Sequence, residues 1–195
     1  FENLDIYDLR KPISIIPRDI FEKVVVRKRG GYCFELNGLF VLLLQALGYD
    51  AYSCPCRGAR PGMVVPSPVR HRGNIVRLDG EYLFCDVGYG GPMPPGSVVL
   101  EDGTRQIVGG ETFWFERKDE FTWLLRRLTK GKIDMGMSGI TDGNNEIQEA
   151  NVLYISQAPW EPIDFILVNR ECLEGDNATF AQRRMLNLRR RDGHI

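Results

Sequence analysis

Residues 33–47 are apolar on nearly every side of a helical wheel, with Phe34, Leu36, Leu39, Phe40, Val41, Leu42, Leu43, Leu44 and Leu47. The run has no proline, tolerates Gly38 in its interior, and meets Gly48 where a helix usually stops. It predicts a buried central helix rather than a surface one. Upstream, residues 1–16 are irregular. Pro17 suits the first position of a second helix reaching about Lys28, with Ile20, Phe21, Val24 and Val25 as its buried stripe. Gly30 and Gly31 separate the two.

Beyond Gly48 the pattern changes to that of strands. Residues 49–57 read as extended and 58–68 as a loop rich in proline and glycine. Residues 71–78 and 81–87 are strand-like runs joined by Asp79-Gly80, a strong two-residue hairpin signal. Residues 88–96 hold too much glycine and proline for regular structure. Shorter β-like pieces follow at 97–100, 106–108, 112–116 and 152–156, with an exposed polar loop expected at 138–145. Residues 121–128 fit a strand or a short helix, and the patterns at 163–169 and 180–186 are not decisive. Helices first and strands afterwards argue for an α+β fold. No internal repeat is present.

Composition narrows the classes. Lys and Arg number 25 against 26 Asp and Glu over 195 residues, a balance without the footprint of nucleic-acid or membrane binding. No apolar run reaches the length of a membrane span, and nothing resembles a signal peptide. Five cysteines, an odd number in a chain too long to need disulfide staples, favour a reducing, cytoplasmic setting. The chain reads as an interior piece of a longer protein. It opens on Phe1 in mid-element, and it closes on a strand at 186–191 and a turn at Asp192-Gly193 whose returning strand is missing.

Cys33 opens the apolar helix, where the positive end of the helix dipole favours thiolate. A lone cysteine is more commonly an ordinary buried thiol, so the chemistry depends on a base. Of the two histidines, His194 reads as a surface residue, whereas His71 opens the hairpin. A two-residue turn sets Leu78 opposite Glu81 and therefore Gly73 opposite Asp86. His71 shares that face as the diagonal neighbour of Asp86, within reach across Gly73, which has no side chain to obstruct it. Cys33, His71 and Asp86 are the parts of a nucleophilic thiol triad. The bland alternative makes His71 a loop-end residue and Asp86 a turn residue.

Other candidates carry less. Cys54-Pro55-Cys56 with Cys33, Cys85 and His71 lacks zinc-ligand spacing, and Cys54, Cys56, Cys85 and Cys172 read as strand and core thiols. The sequon at Asn177 has no meaning in a cytoplasmic protein, and Arg189, Arg190 and Arg191 read as a solvated face. Glu35 and Asn37, one turn into the helix, read as structural supports of the site.

The segment Arg29 to Glu35, followed by His71 and then by Asp86-Val87-Gly88-Tyr89-Gly90, resembles the arylamine N-acetyltransferase family in motif and spacing. The opening Phe1-Glu2-Asn3-Leu4 resembles a further family segment. The resemblance implies a cysteine-proteinase-like core: an N-terminal helical bundle (1–48), a β-barrel (49–170), then a linker and the start of a third, α/β lid domain (171–195) lying mostly beyond Ile195. It implies Cys33 as nucleophile, His71 as base and Asp86 as its orienter. Phe1, Tyr32, Tyr89 and Gly90 would line the substrate and acyl pocket, and residues 88–96 the pantetheine path. The implied substrates are acetyl-CoA and an aromatic amine, with no metal. Tyr89 stands where the family has Phe, and Arg70 and Arg72 stand where it has smaller or apolar residues. An amide synthase of the same family, a papain-like thiol hydrolase and a non-catalytic binding module are the competing readings.

Overall fold

The computed structural model describes residues 1–9, 11–59, 67–130, 147–174, 178–190 and 193–194. The loop expected at 138–145, the middle of the 58–68 loop, Asn177 and Asp192 lie outside them. The order is α1 (Leu4–Tyr7), α2 (Pro17–Phe21), α3 (Cys33–Ala46), β1 (Asp50–Gly58), β2 (His71–Leu78), β3 (Glu81–Cys85), β4 (Val98–Val99), β5 (Gln106–Val108), β6 (Glu111–Arg117), β7 (Thr122–Lys130), β8 (Ile147–Ser156), α4 (Phe165–Glu174), α5 (Thr179–Gln182), β9 (Arg189–Arg190) and β10 (Gly193–His194). This is the α+β arrangement of a helical N-terminus followed by an antiparallel barrel. Residues 121–128 resolve as strand β7.

Three helical expectations change, the first being that a short helix, α1, forms within the stretch 1–16 expected to be irregular. α2 widens into a π-helical turn over Glu22–Val26, and of its expected stripe only Ile20 is buried, while Phe21 and Val25 are exposed. The wider turn rotates the side chains out of the stripe that a 3.6-residue period would set. α3 is central only along its first half: Cys33, Phe34, Asn37, Gly38 and Val41 are buried, but Leu43 and Leu47 are exposed. Gly48, at φ +89°, ends it as expected.

Eight strands run in the order β4-β3-β2-β1-β8-β7-β6-β5, every pair antiparallel. The sheet must curl, because Val98 near one edge and Phe113 near the other belong to one buried cluster with Ile75, Phe84 and Leu153. A side chain spans the gap where the two edges meet. The amide of Gln106 in β5 accepts from Val99 N and donates to Val99 O in β4, both at 2.9 Å. Asp102 also makes an isolated bridge of parallel type to Phe115 in β6. The barrel is thus nearly closed, with Gln106 standing in for a missing ladder rung.

A second cluster joins Tyr32, Cys33 and Phe34 to Phe165, Cys172 and Phe180, so that α4 and α5 pack back on the start of α3. At the C-terminal end Arg190 pairs with Gly193. Gly193 therefore lies in the returning strand rather than in the turn, and Leu186 makes only an isolated bridge, to Glu2. Among the described residues no helix is long and apolar enough to cross a membrane.

Candidate active site

α3 begins at Cys33 because Tyr32 has extended backbone (φ −102°, ψ −174°) and Glu35 reaches back to its amide. Tyr32 N donates to Glu35 Oε2 at 3.0 Å, the return half of a capping box. Glu35 is buried and is held by Lys23 Nζ at 2.7 Å, which also meets Asp5 at 2.9 Å. The supporting role expected for Glu35 is thus mechanical: it fixes where the helix starts, and hence where the thiol sits.

The hairpin register is the one a two-residue turn dictates. Leu78 pairs with Glu81 and Asn74 with Cys85, and Asp79 and Gly80 have φ of 52° and 85°, both positive as such a turn needs. Asp86 follows the last pair, and its Oδ2 meets His71 Nε2 in a short hydrogen bond. Its Oδ1 accepts from Gly88 N and from Asn37 Nδ2, each at 2.8 Å. Asn37 also donates to Arg72 O at 2.5 Å and accepts from Val87 N at 2.9 Å. One amide, a turn beyond Cys33 on the same helix face, therefore ties helix, strand and loop together. Gly88 comes so close that a Cβ there would lie 2.9 Å from Cys33 Cα.

Gly73 has a different purpose from the one expected. The space above it is filled by the Phe84 ring and Cys56, and a Cβ would sit 2.5 Å from Phe84 Cε2. Gly73→Val is therefore expected to disrupt the barrel core by overpacking, at about 1–3 kcal/mol or more, rather than to part His71 from Asp86. Urea denaturation checks this; an unchanged midpoint with lost activity would favour the interposition.

The Cys33 sulfur is 3.9 Å from the carbonyl oxygen of Arg70, and Cys172 Sγ approaches the same oxygen at 4.0 Å. Burial pushes the Cys33 thiol well above its ordinary range, reinforced by Cys172 and Asp86 and opposed by the backbone amides of Arg72 and Phe34. The helix terminus alone, weighed from sequence, pointed the other way; desolvation outweighs it. Burial likewise raises Cys56 and carries Cys85 and Cys172 up to about 11. Thiols of the unfolded chain ionise near about 8.5, so above that pH the unfolded chain sheds protons first. The stability these neutral thiols contribute is complete below about pH 8.5 and is lost as pH rises toward 11. Under reducing conditions the melting temperature should fall steadily across that window, and a flat profile would contradict the assigned burial.

Of the residues the resemblance assigns to the pocket, Tyr89 stacks edge-on to His71 with ring centroids 5.0 Å apart. Phe1 packs on the backbone of Gly90 and 6.2 Å from Phe180. Tyr32 is fully buried, its ring against Phe34 and Phe180 and its hydroxyl hydrogen-bonded to Asn169. Sequence reasoning underrated Asn37, whose spacing of four from Cys33 was the available signal. It gave no sign that Cys172 comes close to Cys33. Among the described residues no His, Cys, Asp and Glu cluster has metal-binding geometry.

A family profile described as N-acetyltransferase matches residues 1–195. The chain belongs to the N-acetyltransferase family. An arylamine N-acetyltransferase of Escherichia coli (strain K12) is 40% identical over 127 residues, which are 65% of this chain and 44% of that protein. An N-malonyltransferase of Fusarium pseudograminearum (strain CS3096) is 34% identical over 105 residues, 48% of this chain and 31% of that one. The matches thus span less than half the length of these curated relatives. The fold is that of solved members: the arylamine N-acetyltransferase of Mycobacterium marinum in complex with CoA superimposes with a TM-score of 0.80 at 22% identity, covering all of this chain and 73% of that one.

Proposed function

We propose that this chain carries the nucleophilic half of an acetyltransferase that moves an acetyl group from acetyl-CoA to an arylamine through an acyl-Cys33 intermediate. The observation that carries the reading is the His71 Nε2–Asp86 Oδ2 contact, placed one residue from the carbonyl that Cys33 Sγ approaches. Asp86 engages Nε2, which leaves Nδ1 as the ring nitrogen that takes the thiol proton. Burial alone holds Cys33 protonated; an imidazolium backed by Asp86 offsets that and favours the thiolate. The sulfur attacks the thioester carbonyl carbon, the bond to the coenzyme sulfur breaks, and the coenzyme leaves with the proton from His71. The amine nitrogen then attacks the acyl-cysteine, and its proton returns through His71 as the Cys33 sulfur departs. The backbone amides of Arg72 and Phe34, which act on the Cys33 thiol, are fixed donors available to the oxyanion.

Several features support this reading. Family membership and the E. coli relative named for arylamine acetylation support the substrates, and the M. marinum complex supports CoA as the carrier. The division at residue 48 between a thiol-bearing helical region and a barrel bearing His71 and Asp86 belongs to the same reading, as does a cytoplasmic location. The relative named for malonyl transfer marks the acyl group as the variable part.

Mass spectrometry of the full-length protein after acetyl-CoA tests it. One acetyl group on Cys33 is expected, absent in Cys33→Ala, and initial rates against several amine concentrations should give parallel double-reciprocal lines. Acetyl-CoA turnover without acyl-Cys33, or intersecting lines, would point to direct transfer and a structural Cys33.

A further inference from the structure

Strand alternation turns His71 toward the barrel interior and Arg72 toward α3. Arg72 is 3% exposed, yet its guanidinium meets no carboxylate among the described residues. Nε donates to Ser53 Oγ at 2.9 Å and the plane lies 4.8 Å from the Phe165 ring centroid. Neither contact supplies negative charge. A buried cation without a carboxylate partner is costly, and burial draws this one down to about 10, opposed by the nearby thiols of Cys33 and Cys54. Arg72 also lines a cavity of about 160 Å³ on this face of the sheet, with apolar walls from Val41, Leu42 and Trp160 and with Ser53 beside the guanidinium. The acidic residue on its rim, Glu161, is exposed, where water screens its charge.

We propose that this cavity binds a small organic monocarboxylate, its carboxylate held by the Arg72 guanidinium and its tail against Val41, Leu42 and Trp160. Arginine offers a planar pair of donors matched to a carboxylate. The volume is well below that of typical drug-sized sites, so the fit is to a single ring or short chain and not to a nucleotide. The apolar walls favour such an acid over an inorganic anion. The site lies on the opposite face of β2 from His71 and does not depend on the acyl-transfer reading.

Benzoate is the probe, with uncharged benzamide and tail-less sulfate as comparisons, read by calorimetry and by melting temperature on the full chain. Saturable binding of benzoate is expected, with benzamide and sulfate weaker by about ten- to a hundredfold, the span of one charge-assisted interaction. Arg72→Met should remove the benzoate response. Leu42→Trp, which fills the cavity from its wall and leaves the guanidinium in place, should remove it too and guards against a folding defect in the first variant. No saturable benzoate binding, equal binding of benzamide or sulfate, or a response surviving in Leu42→Trp would each overturn the assignment. So would loss of the response on alkylating Cys33 while Leu42→Trp retains it, since that places benzoate beside the thiol.

Discussion

Asp86→Asn is expected to lower acetyl transfer by about two to four orders of magnitude while leaving the fold intact. The substitution keeps the shape and, through its amide oxygen, can keep the contacts to Asn37 Nδ2 and Gly88 N. What changes is the atom facing His71 Nε2. An amide presents either a donor or an uncharged oxygen, so the imidazole loses its fixed tautomer and the anion that stabilises its protonated form. In the serine-protease template the equivalent change costs about 10⁴ in turnover; a thiol ionises more readily than a hydroxyl, which sets the lower end. Since burial already pushes Cys33 up, weakening the imidazolium should move its alkylation to higher pH. Circular dichroism should match the unmodified protein. Near-normal acetylation by Asp86→Asn would demote Asp86 to a turn residue.

Replacing Asn37 with leucine should be the most damaging single change to stability near the site. The side chain makes contacts at 2.5, 2.8 and 2.9 Å to Arg72 O, Asp86 Oδ1 and Val87 N, and Asn74 Nδ2 lies 3.3 Å from its oxygen. Leucine fills similar volume and satisfies none of them. Each buried group left unpaired costs about 1–3 kcal/mol, and because the groups are neighbours their losses do not simply add. A destabilisation of about 3–5 kcal/mol is expected, a large share of a typical folding free energy. Activity should fall as well, since Asp86 loses one of its anchors. Urea midpoints measure the first effect. A variant as stable as the parent would show that water replaces the amide at no cost.

What could be read from the chain, and what could not, follows from distance along it. The helix start at Cys33 and the pairing of Leu78 with Glu81 depend on residues within a few positions, and both were legible. The diagonal reach from His71 to Asp86 followed from that pairing. The reason for Gly73 did not, because Phe84 and Cys56 contest the same space from two other strands. The half-exposed course of α3 and the outward turn of Val25 depend on what packs against them, which periodicity does not report. Arg72 stood out only as an unusual neighbour of His71. That it is buried without a carboxylate partner emerges when β2, α3 and α4 are seen together. The capture of α4 by the helical core, through Phe165 and Cys172, is likewise a contact between distant parts of the chain.

The seam of the barrel bears on how this protein avoids sticking to itself. An open sheet offers its outermost strands as a template for any passing extended segment, and long, flat edges are the dangerous ones. Here β4 has only two residues and β5 three, and Gln106 occupies both the donor and the acceptor of Val99. The two edges consume each other's hydrogen-bonding capacity at that point. Little ladder is left there for a second molecule to extend.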